Sequence, residues 1–246
     1  MKFHYMSDLH LEFKEHKLKN FDECDGLILA GDIGYPTEKI YFDFLQTASN
    51  LFKYVFVIKG NHENYNSDVS TTDENISNVC SNFDNVHYLN NTFFDIPDTN
   101  LRVIGTPLWS KIQESQKFIV LSTINDYKLI GGWTLDTHDK EHEKCVNFIT
   151  NQIEYATFNN KKLIVITHFS PLLDISVAPK YKKSKNSSAF STDLSQLFND
   201  PIKAWFFGHT HWSMYTEINN VKIMANQKGY NTEVTGFDPM KICIID

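Results

Sequence analysis

The residues of this chain with the clearest capacity for chemistry are the two histidines of Gly208-His209-Thr210-His211. They directly follow an apolar run, Ile202 to Phe207, which predicts a buried strand. Residues two positions apart on an extended chain point to the same side, so His209 and His211 can bind one group. Gly208 lets the backbone turn there and keeps side-chain bulk away from the bound group. A His-x-His pair alone is a weak signal, because surface histidine pairs also occur by chance.

Four other predicted strand ends also carry residues of the kind that bind metals. Added to the two histidines, these residues complete a set at the strand ends: Asp8, His10, Asp32, Asn61, His62 and His168. In open α/β sheets, ligands bind at the carboxyl ends of the strands. The set offers carboxylate, amide and imidazole groups and no thiolate. This suits Mn, Fe, Zn or Co and argues against a structural zinc site, which is normally rich in cysteine.

The size of this set predicts two metal ions as cofactors. With His62 set aside, the seven remaining ligands exceed what one tetrahedral ion accepts. They fit two divalent ions that share a bridging carboxylate and lie about 3.5–4 Å apart, the separation that enzymes use for phosphoryl chemistry.

The elements that must position these residues are predicted from hydrophobic periodicity. Continuously apolar runs such as 26–30 predict strands buried on both faces, as in a sheet covered by other layers. The predicted strands are 2–7, 26–30, 54–59, 85–89, 92–95, 101–105, 162–167, 202–207, 214–218, 221–225 and 241–245, with Asn219-Asn220 as a tight hairpin turn. The predicted helices are 37–52, with Thr37 as the N-cap, 71–83, 136–158 and 191–198. Residues 106–134 show no clear pattern, which in a compact domain indicates a functional loop or a misassigned segment.

Length and composition predict a single domain over residues 1–246, because 41% hydrophobic residues supply a sizeable core and no linker divides the chain. The four cysteines are scattered and the N-terminus has no signal-peptide pattern, which predicts a cytoplasmic protein with reduced thiols. No apolar run is long enough to span a membrane. The formal net charge of −7 argues against nucleic acid as a partner. The oligomeric state is not predicted.

Five short blocks occur in order along the chain. They are Asp-x-His at 8–10, Gly-Asp at 31–32, Gly-Asn-His-Glu at 60–63, the single His168 after a buried strand, and Gly-His-x-His at 208–211. Together they resemble the calcineurin-like metallophosphoesterase superfamily, and the remainder of the chain looks like its small single-domain members. The resemblance implies an α/β fold, a four-layer αββα sandwich with two mixed β-sheets flanked by helices.

The resemblance also implies which residues hold each ion. One ion would be held by Asp8, His10, Asp32 and His211. The other would be held by Asp32, Asn61, His168 and His209. The carboxylate of Asp32 would therefore bridge the two ions, together with a water or hydroxide.

The implied activity is hydrolysis of a phosphoester by this hydroxide, with Mn as the ion expected to work best in vitro. His62 would donate a proton to the leaving alkoxide. Glu63 would support the site from behind, although a solvated glutamate fits the sequence equally well. Unlike the Ser/Thr phosphatases of the superfamily, the chain has no arginine just after its Gly-Asp block, and Arg102 alternates within an apolar strand. Without an arginine fork for a doubly charged monoester, we expect a phosphodiester or a small-molecule phosphomonoester as substrate.

Two other functions share these blocks or this fold. A nuclease of the double-strand-break repair type uses the same metal blocks, but the net charge of −7 and the lack of an arginine-rich face disfavour it. A metal-free scaffold of the retromer type has the fold with a degraded metal site, and intact ligands at every block disfavour that function.

The loop 169–188 also has two interpretations. It contains Lys180, Lys182, Lys183 and Lys185. A run of this kind is usually a solvated surface loop. The alternative is a lid whose charge draws an anionic substrate toward the strand ends.

Overall fold

Two mixed β-sheets form the centre of the fold in the computed structural model, which describes residues 1–19 and 24–245. The strands are β1 (Lys2–Met6), β2 (Gly26–Ala30), β3 (Tyr54–Ile58), β4 (Val86–Tyr88), β5 (Thr92–Asp95), β6 (Leu101–Thr106), β7 (Lys162–Thr167), β8 (Ile202–Phe207), β9 (Met214–Ile218), β10 (Val221–Ala225) and β11 (Ile242–Ile244). One sheet has the order β11-β1-β2-β3-β4, and the other has the order β5-β6-β7-β8-β10-β9.

The inner strands of each sheet are parallel. In the first sheet β1 to β4 run in one direction and only β11 is antiparallel. In the second sheet β6, β7, β8 and β10 are parallel, while the outer strands β5 and β9 are antiparallel. The five strands that precede the predicted ligands therefore present their carboxyl ends on one side of their own sheet.

Helices cover the outer face of each sheet. They are α1 (Lys39–Leu51), α2 (Val69–Cys80), α3 (Lys117–Thr123), α4 (Asp126–Leu129) and α5 (Leu135–Phe158). Tyr41 and Leu45 of α1 are buried in one cluster with β2 and β3, and Cys145 and Ile149 of α5 are buried in another with β7 and β8.

A third apolar cluster lies between the sheets. Phe56 of β3, Ile164 of β7 and Phe206 of β8 are buried in it, with exposed fractions of 1% or less. Buried side chains on both faces of both sheets explain the continuously apolar strands. The predicted four-layer αββα sandwich is confirmed.

Two predicted helix starts were wrong, and local hydrogen bonds explain both. The helix α1 begins at Lys39, because the amide of Glu38 bonds to the carbonyl of Tyr35 in a preceding turn, and Thr37 is not its N-cap. The helix α2 begins at Val69, where the side chain of Asp68 accepts a bond from the amide of Thr71 and caps it.

The predicted helix 191–198 is only a single 3₁₀ turn, Ser195–Leu197. The amides of Thr192 and Leu194 bond instead to the carbonyls of Ser170 and Pro171, so this backbone is held by another segment. The hairpin turn is confirmed, since Asn219 and Asn220 have φ of 51° and 64° between the paired strands β9 and β10.

Candidate metal centre

The predicted ligand residues, which lie far apart in sequence, meet in three adjoining clusters. Within each cluster the ligand atoms lie within 4.8 Å of one another. The clusters are Asp8-His10-His211, His10-Asp32-His62 and Asp32-His168-His209. Asn61 joins the third, because its Oδ1 lies 3.1 Å from Nε2 of His168. The strand ends of the first sheet supply the residues up to 62, and β7 and β8 of the second sheet supply the other three.

The backbone at these positions is unusual. Asp8, His10, Asp32, His209 and His211 all have positive φ, between 48° and 72°. Left-handed backbone is uncommon for residues other than glycine and costs free energy, so it persists where the surroundings impose it. Here the chain turns sharply just after β1, β2 and β8, where side chains from the two sheets meet.

Two glycines of the blocks allow the loops to approach closely. A Cβ on Gly60 would lie 2.1 Å from Oδ1 of Asp32, and one on Gly208 would lie 2.8 Å from Oδ2 of Asp8. Any side chain at these positions would displace a carboxylate. Gly208 does not itself have positive φ, so the expected turn comes at His209 and His211, and the glycine provides room.

At the first cluster, two imidazoles face each other with their outer nitrogens already bonded. The Nε2 atoms of His10 and His211 lie 3.2 Å apart. Nδ1 of His10 lies 3.0 Å from Glu12, and Nδ1 of His211 lies 2.5 Å from Glu233. Asp8 completes the group, 3.5 Å from Nε2 of His211.

This geometry leaves room for a cation. If both Nδ1 atoms donate to their carboxylates, both Nε2 atoms turn lone pairs toward each other. Burial alone would lower the pKa of His211, but its hydrogen bonds to Asp8 and Glu233 outweigh burial and raise the pKa to about 10. A divalent ion would take the place of that proton. A carboxylate that binds the far nitrogen of an imidazole is also the usual support of a metal-binding histidine.

At the third cluster, His168 is held in the same way by a backbone group. Its Nδ1 donates to the carbonyl of Ala30 over 2.9 Å, so Nε2 faces Asp32 at 3.4 Å and Asn61 at 3.1 Å. Burial and the neighbouring His168 lower the pKa of His209 to about 3. His209 is therefore neutral, the form in which imidazole binds a metal. The oxygen and imidazole groups of both clusters fit divalent ions such as Mn, Fe, Zn or Co.

Glu63 is buried and supports the centre through hydrogen bonds to the backbone of the loops that carry the ligands. Its side chain is 2% exposed and accepts three backbone hydrogen bonds, from Asp32 at 3.1 Å, Ile33 at 2.8 Å and Gly60 at 2.8 Å. It therefore ties the loop after β2 to the loop after β3. Of the two interpretations left open by the sequence, the structure excludes the solvated one.

Asp126 is part of the centre and was missed in the sequence. It lies on α4, is 2% exposed, and its Oδ1 accepts bonds of 2.8 Å from Nδ2 of Asn61 and 2.8 Å from the hydroxyl of Tyr65. These bonds fix the amide of Asn61 so that its oxygen faces His168. Asp126 lies in the segment 106–134, where no strand-end pattern marks it.

His62 occupies the side of the centre that faces the cavity. Nδ1 lies 3.2 Å from Glu12 and Nε2 lies 3.1 Å from the hydroxyl of Tyr230. Burial lowers its pKa, but the charges of Asp32 and Glu12 outweigh burial and raise it. Glu12 was also missed, although its position two residues after His10 was a signal. Glu233 and Tyr230 carry no such signal.

A cavity of about 390 Å³ opens beside His62 and the third cluster. Part of its wall comes from the segment 177–190, in which Val177, Tyr181, Ser184 and Phe190 line the cavity. The four lysines of the 169–188 loop are exposed, and none is among the residues that line this cavity. The loop therefore borders the site while its charges face solvent.

Arg102 is remote from the centre. Its guanidinium forms a fork with Asp95, at 2.9 and 2.7 Å, and donates to Gln152. It also lies over the rings of Phe93 and Tyr155. The only arginine of the chain is therefore engaged on the outside of the second sheet and is not available to bind phosphate.

Within the described ranges, no helix combines the length and apolar character needed to cross a membrane.

Known proteins share both the sequence pattern and the fold. Residues 1–213 match the sequence profile described as calcineurin-like phosphoesterase. An uncharacterized protein of Acanthamoeba polyphaga mimivirus is 33% identical over 273 residues, covering 98% of this chain and 96% of that protein. A phosphopantetheinyl hydrolase from Mycobacterium tuberculosis has a similar structure, with a TM-score of 0.71, 16% identity, and coverage of 95% and 93% of the two chains. A dimetal phosphatase from Danio rerio has a TM-score of 0.51 at 12% identity, covering 91% and 86%.

Proposed function

We propose, since the chain belongs to the calcineurin-like phosphoesterase family, that it is a hydrolase that uses two divalent metal ions to cleave a phosphodiester or a small-molecule phosphomonoester. The observation that carries the proposal is the meeting of three ligand clusters that share His10 and Asp32. Two adjoining clusters with a common carboxylate suit a pair of ions and not a single one.

The ligand assignment follows these clusters. We assign Asp8, His10, Asp32 and His211 to one ion. We assign Asp32, Asn61, His168 and His209 to the other. Two ions bound there would lower the pKa of a water between them and neutralise charge on the phosphoryl oxygens.

The chain's own residues would position and protonate the substrate. His62 lies at the cavity mouth, and Glu12 at its Nδ1 leaves Nε2 to carry the proton toward the leaving oxygen. The bond between Nε2 and the hydroxyl of Tyr230 keeps the ring in place until substrate binds. Glu63 and Asp126 hold Asp32 and Asn61 through the hydrogen bonds described above.

The absence of arginine from the described cavity wall favours a diester or another singly charged phosphate. A dianionic monoester gains most from a guanidinium fork, and Arg102 is engaged elsewhere. Because no arginine is available and the net charge is −7, nucleic acid is not the expected substrate.

We take residues 1–246 as one domain, since β9, β10 and β11 after the matched region complete both sheets. Reduced thiols favour a cytoplasmic location.

Metal stoichiometry tests the proposal. Protein reconstituted with Mn, Zn, Fe or Co should hold about two ions per chain by elemental analysis, with hydrolysis of a phosphoester panel greatest with Mn. Asp32→Asn should reduce the stoichiometry and abolish hydrolysis, and Asp136→Asn on the exposed start of α5 is the matched control. One ion per chain, unchanged in Asp32→Asn, would refute the shared site. Protein that binds no metal would instead favour the scaffold function.

A further inference from the structure

We propose that the cavity beside the metal centre binds the organic part of the substrate and selects an uncharged group that forms hydrogen bonds, such as an amide or an alcohol, over an anionic group. The inference rests on the proposed phosphoesterase function. It concerns the substituent that the reaction leaves unchanged, for which the family match and the ligand clusters make no assignment.

Neutral polar and apolar side chains build the cavity wall away from the predicted ligands. The polar ones are amides and hydroxyls, among them Asn125, Asn186 and Ser187, and the apolar ones include Ile124, Val177 and Phe190. None of the described residues that line the cavity is lysine or arginine. A buried charge needs a partner to offset the water that it loses. This wall offers a second anionic group no such partner.

Apart from the histidines of the centre, the charged residues at the wall are carboxylates. Asp126 and Glu233 line the cavity beside the ligands. Lys180 is exposed and does not line the cavity. Lys14 and Lys228 line a separate depression, which shares only Tyr230 with the cavity. An anionic substituent would therefore meet carboxylates in the cavity, while the phosphate itself faces the metal centre.

Asn125 supplies the specific polar contact. It is exposed to the cavity, and its side-chain amide makes no hydrogen bond to any residue in the ranges 1–19 and 24–245. In contrast, the amide of Asn186 is bonded to Thr123 at 3.2 Å and accepts a bond from Ser184. A free amide offers both a donor and an acceptor, which matches an amide or an alcohol of the substrate. A volume of about 390 Å³ is sufficient for a small substituent.

Three diesters with the same leaving group test the selection. Each carries 4-nitrophenolate, and the second ester group is 2-acetamidoethyl, ethyl or 2-carboxyethyl. Because the leaving group is constant, differences in kcat/KM of the Mn-loaded protein report the second substituent. We expect the acetamidoethyl ester to exceed the carboxyethyl ester by about tenfold or more, with the ethyl ester between them, since the unpaired carboxylate loses its water without gaining a partner.

A charge placed on the wall should reverse this order. Asn125→Lys should raise kcat/KM for the carboxyethyl ester and lower it for the acetamidoethyl ester, while the metal content stays the same. Asn151→Lys is the matched control, because it adds the same charge on the exposed face of α5 and should leave the order unchanged.

The outcomes separate this inference from the proposed function. Hydrolysis of all three esters at similar rates, or a preference for the carboxyethyl ester, would overturn the inference alone. An unchanged order in Asn125→Lys would place the substituent outside the cavity and would also overturn it. If the metal-loaded protein hydrolysed none of these diesters and no monoester, the proposed function itself would fail.

Discussion

Replacing Asp126 by asparagine should weaken one metal site and leave the other intact. Asp126 bonds to the amide of Asn61 over 2.8 Å, and Asn61 is assigned to the second ion only. The variant keeps the shape of the side chain but removes its charge. An asparagine can also turn its own amide toward Asn61, which would release the orientation that directs Oδ1 to His168.

The size of the effect follows from the bonds that change. A hydrogen bond to a charged group contributes about 1.5–3 kcal/mol, and groups that support a metal ligand typically account for 10–100-fold in affinity. The two ranges agree, since a tenfold change in affinity is about 1.4 kcal/mol. Without metal, the variant should be as stable as the unchanged protein or more stable. Burial raises the pKa of Asp126, and the ionised form of this side chain is costly to bury.

Titration calorimetry with Mn measures both sites separately. We expect one of the two binding steps to lose about 10–100-fold in affinity in Asp126→Asn, with the other step unchanged and the thermal midpoint of the metal-free protein equal or higher. Tyr65→Phe is the graded comparison, since it keeps the bond between Asp126 and Asn61 but removes the hydroxyl that donates to Asp126 and accepts a 3.0 Å bond from the Asn61 amide. Equal weakening of both steps, or none, would refute the role assigned to Asp126. A lower midpoint would mean that its function is structural.

Three further predictions concern other parts of the molecule. His62→Ala should retain both ions and lose roughly 10²–10⁴-fold in kcat on alkyl esters but distinctly less on nitrophenyl esters, because a nitrophenolate leaves without a proton. Equal losses would contradict an acid role, and loss of an ion would make His62 a ligand. Replacing the four lysines of the 169–188 loop by glutamine should change KM by less than about threefold at physiological ionic strength, since exposed charges facing solvent are screened; a large rise at low salt would support the lid. The hydrogen bond from Arg102 lowers the pKa of Asp95 from 3.8 to about 2, so its stabilising effect is present above pH 3.8 and lost as the pH falls through 2. In Arg102→Leu the free energy of unfolding, measured with urea, should therefore vary less with pH over that window, by under about 1 kcal/mol because Asp95 is partly exposed.

The sequence predicted the architecture because buried strands are marked strongly. Runs such as Gly26–Ala30 and Lys162–Thr167 are apolar on both faces, which only a covered sheet explains. The five blocks then indicated the residues that meet, although whether they bind metal stays a prediction. Helix starts were less accurate, because the turn at Tyr35 to Glu38 and the cap at Asp68 depend on single hydrogen bonds.

Residues that act on the ligands were harder to find. Glu12, Asp126 and Glu233 reach the centre from a loop, a short helix and the segment after β10. Glu12 lies two residues after His10, but the contacts of Glu233 and Asp126 span 22 and 65 residues and leave no periodic signal. The cavity wall was hidden for a similar reason, since irregularly spaced residues of the 177–190 segment line it while the lysines between them face solvent.

The position of the centre between the two sheets has a mechanical consequence. Each proposed ion takes ligands from both sheets, and the carboxylate of Asp8 already accepts a bond from the amide of His209, 201 residues away. Bound metal would thus cross-link the two sheets at the end where the ligands lie. Because a ligand stabilises the folded state that binds it, chelation should lower the thermal midpoint. It should also speed amide hydrogen exchange at the ends of β2 and β8 together, while the opposite ends of the same strands remain protected.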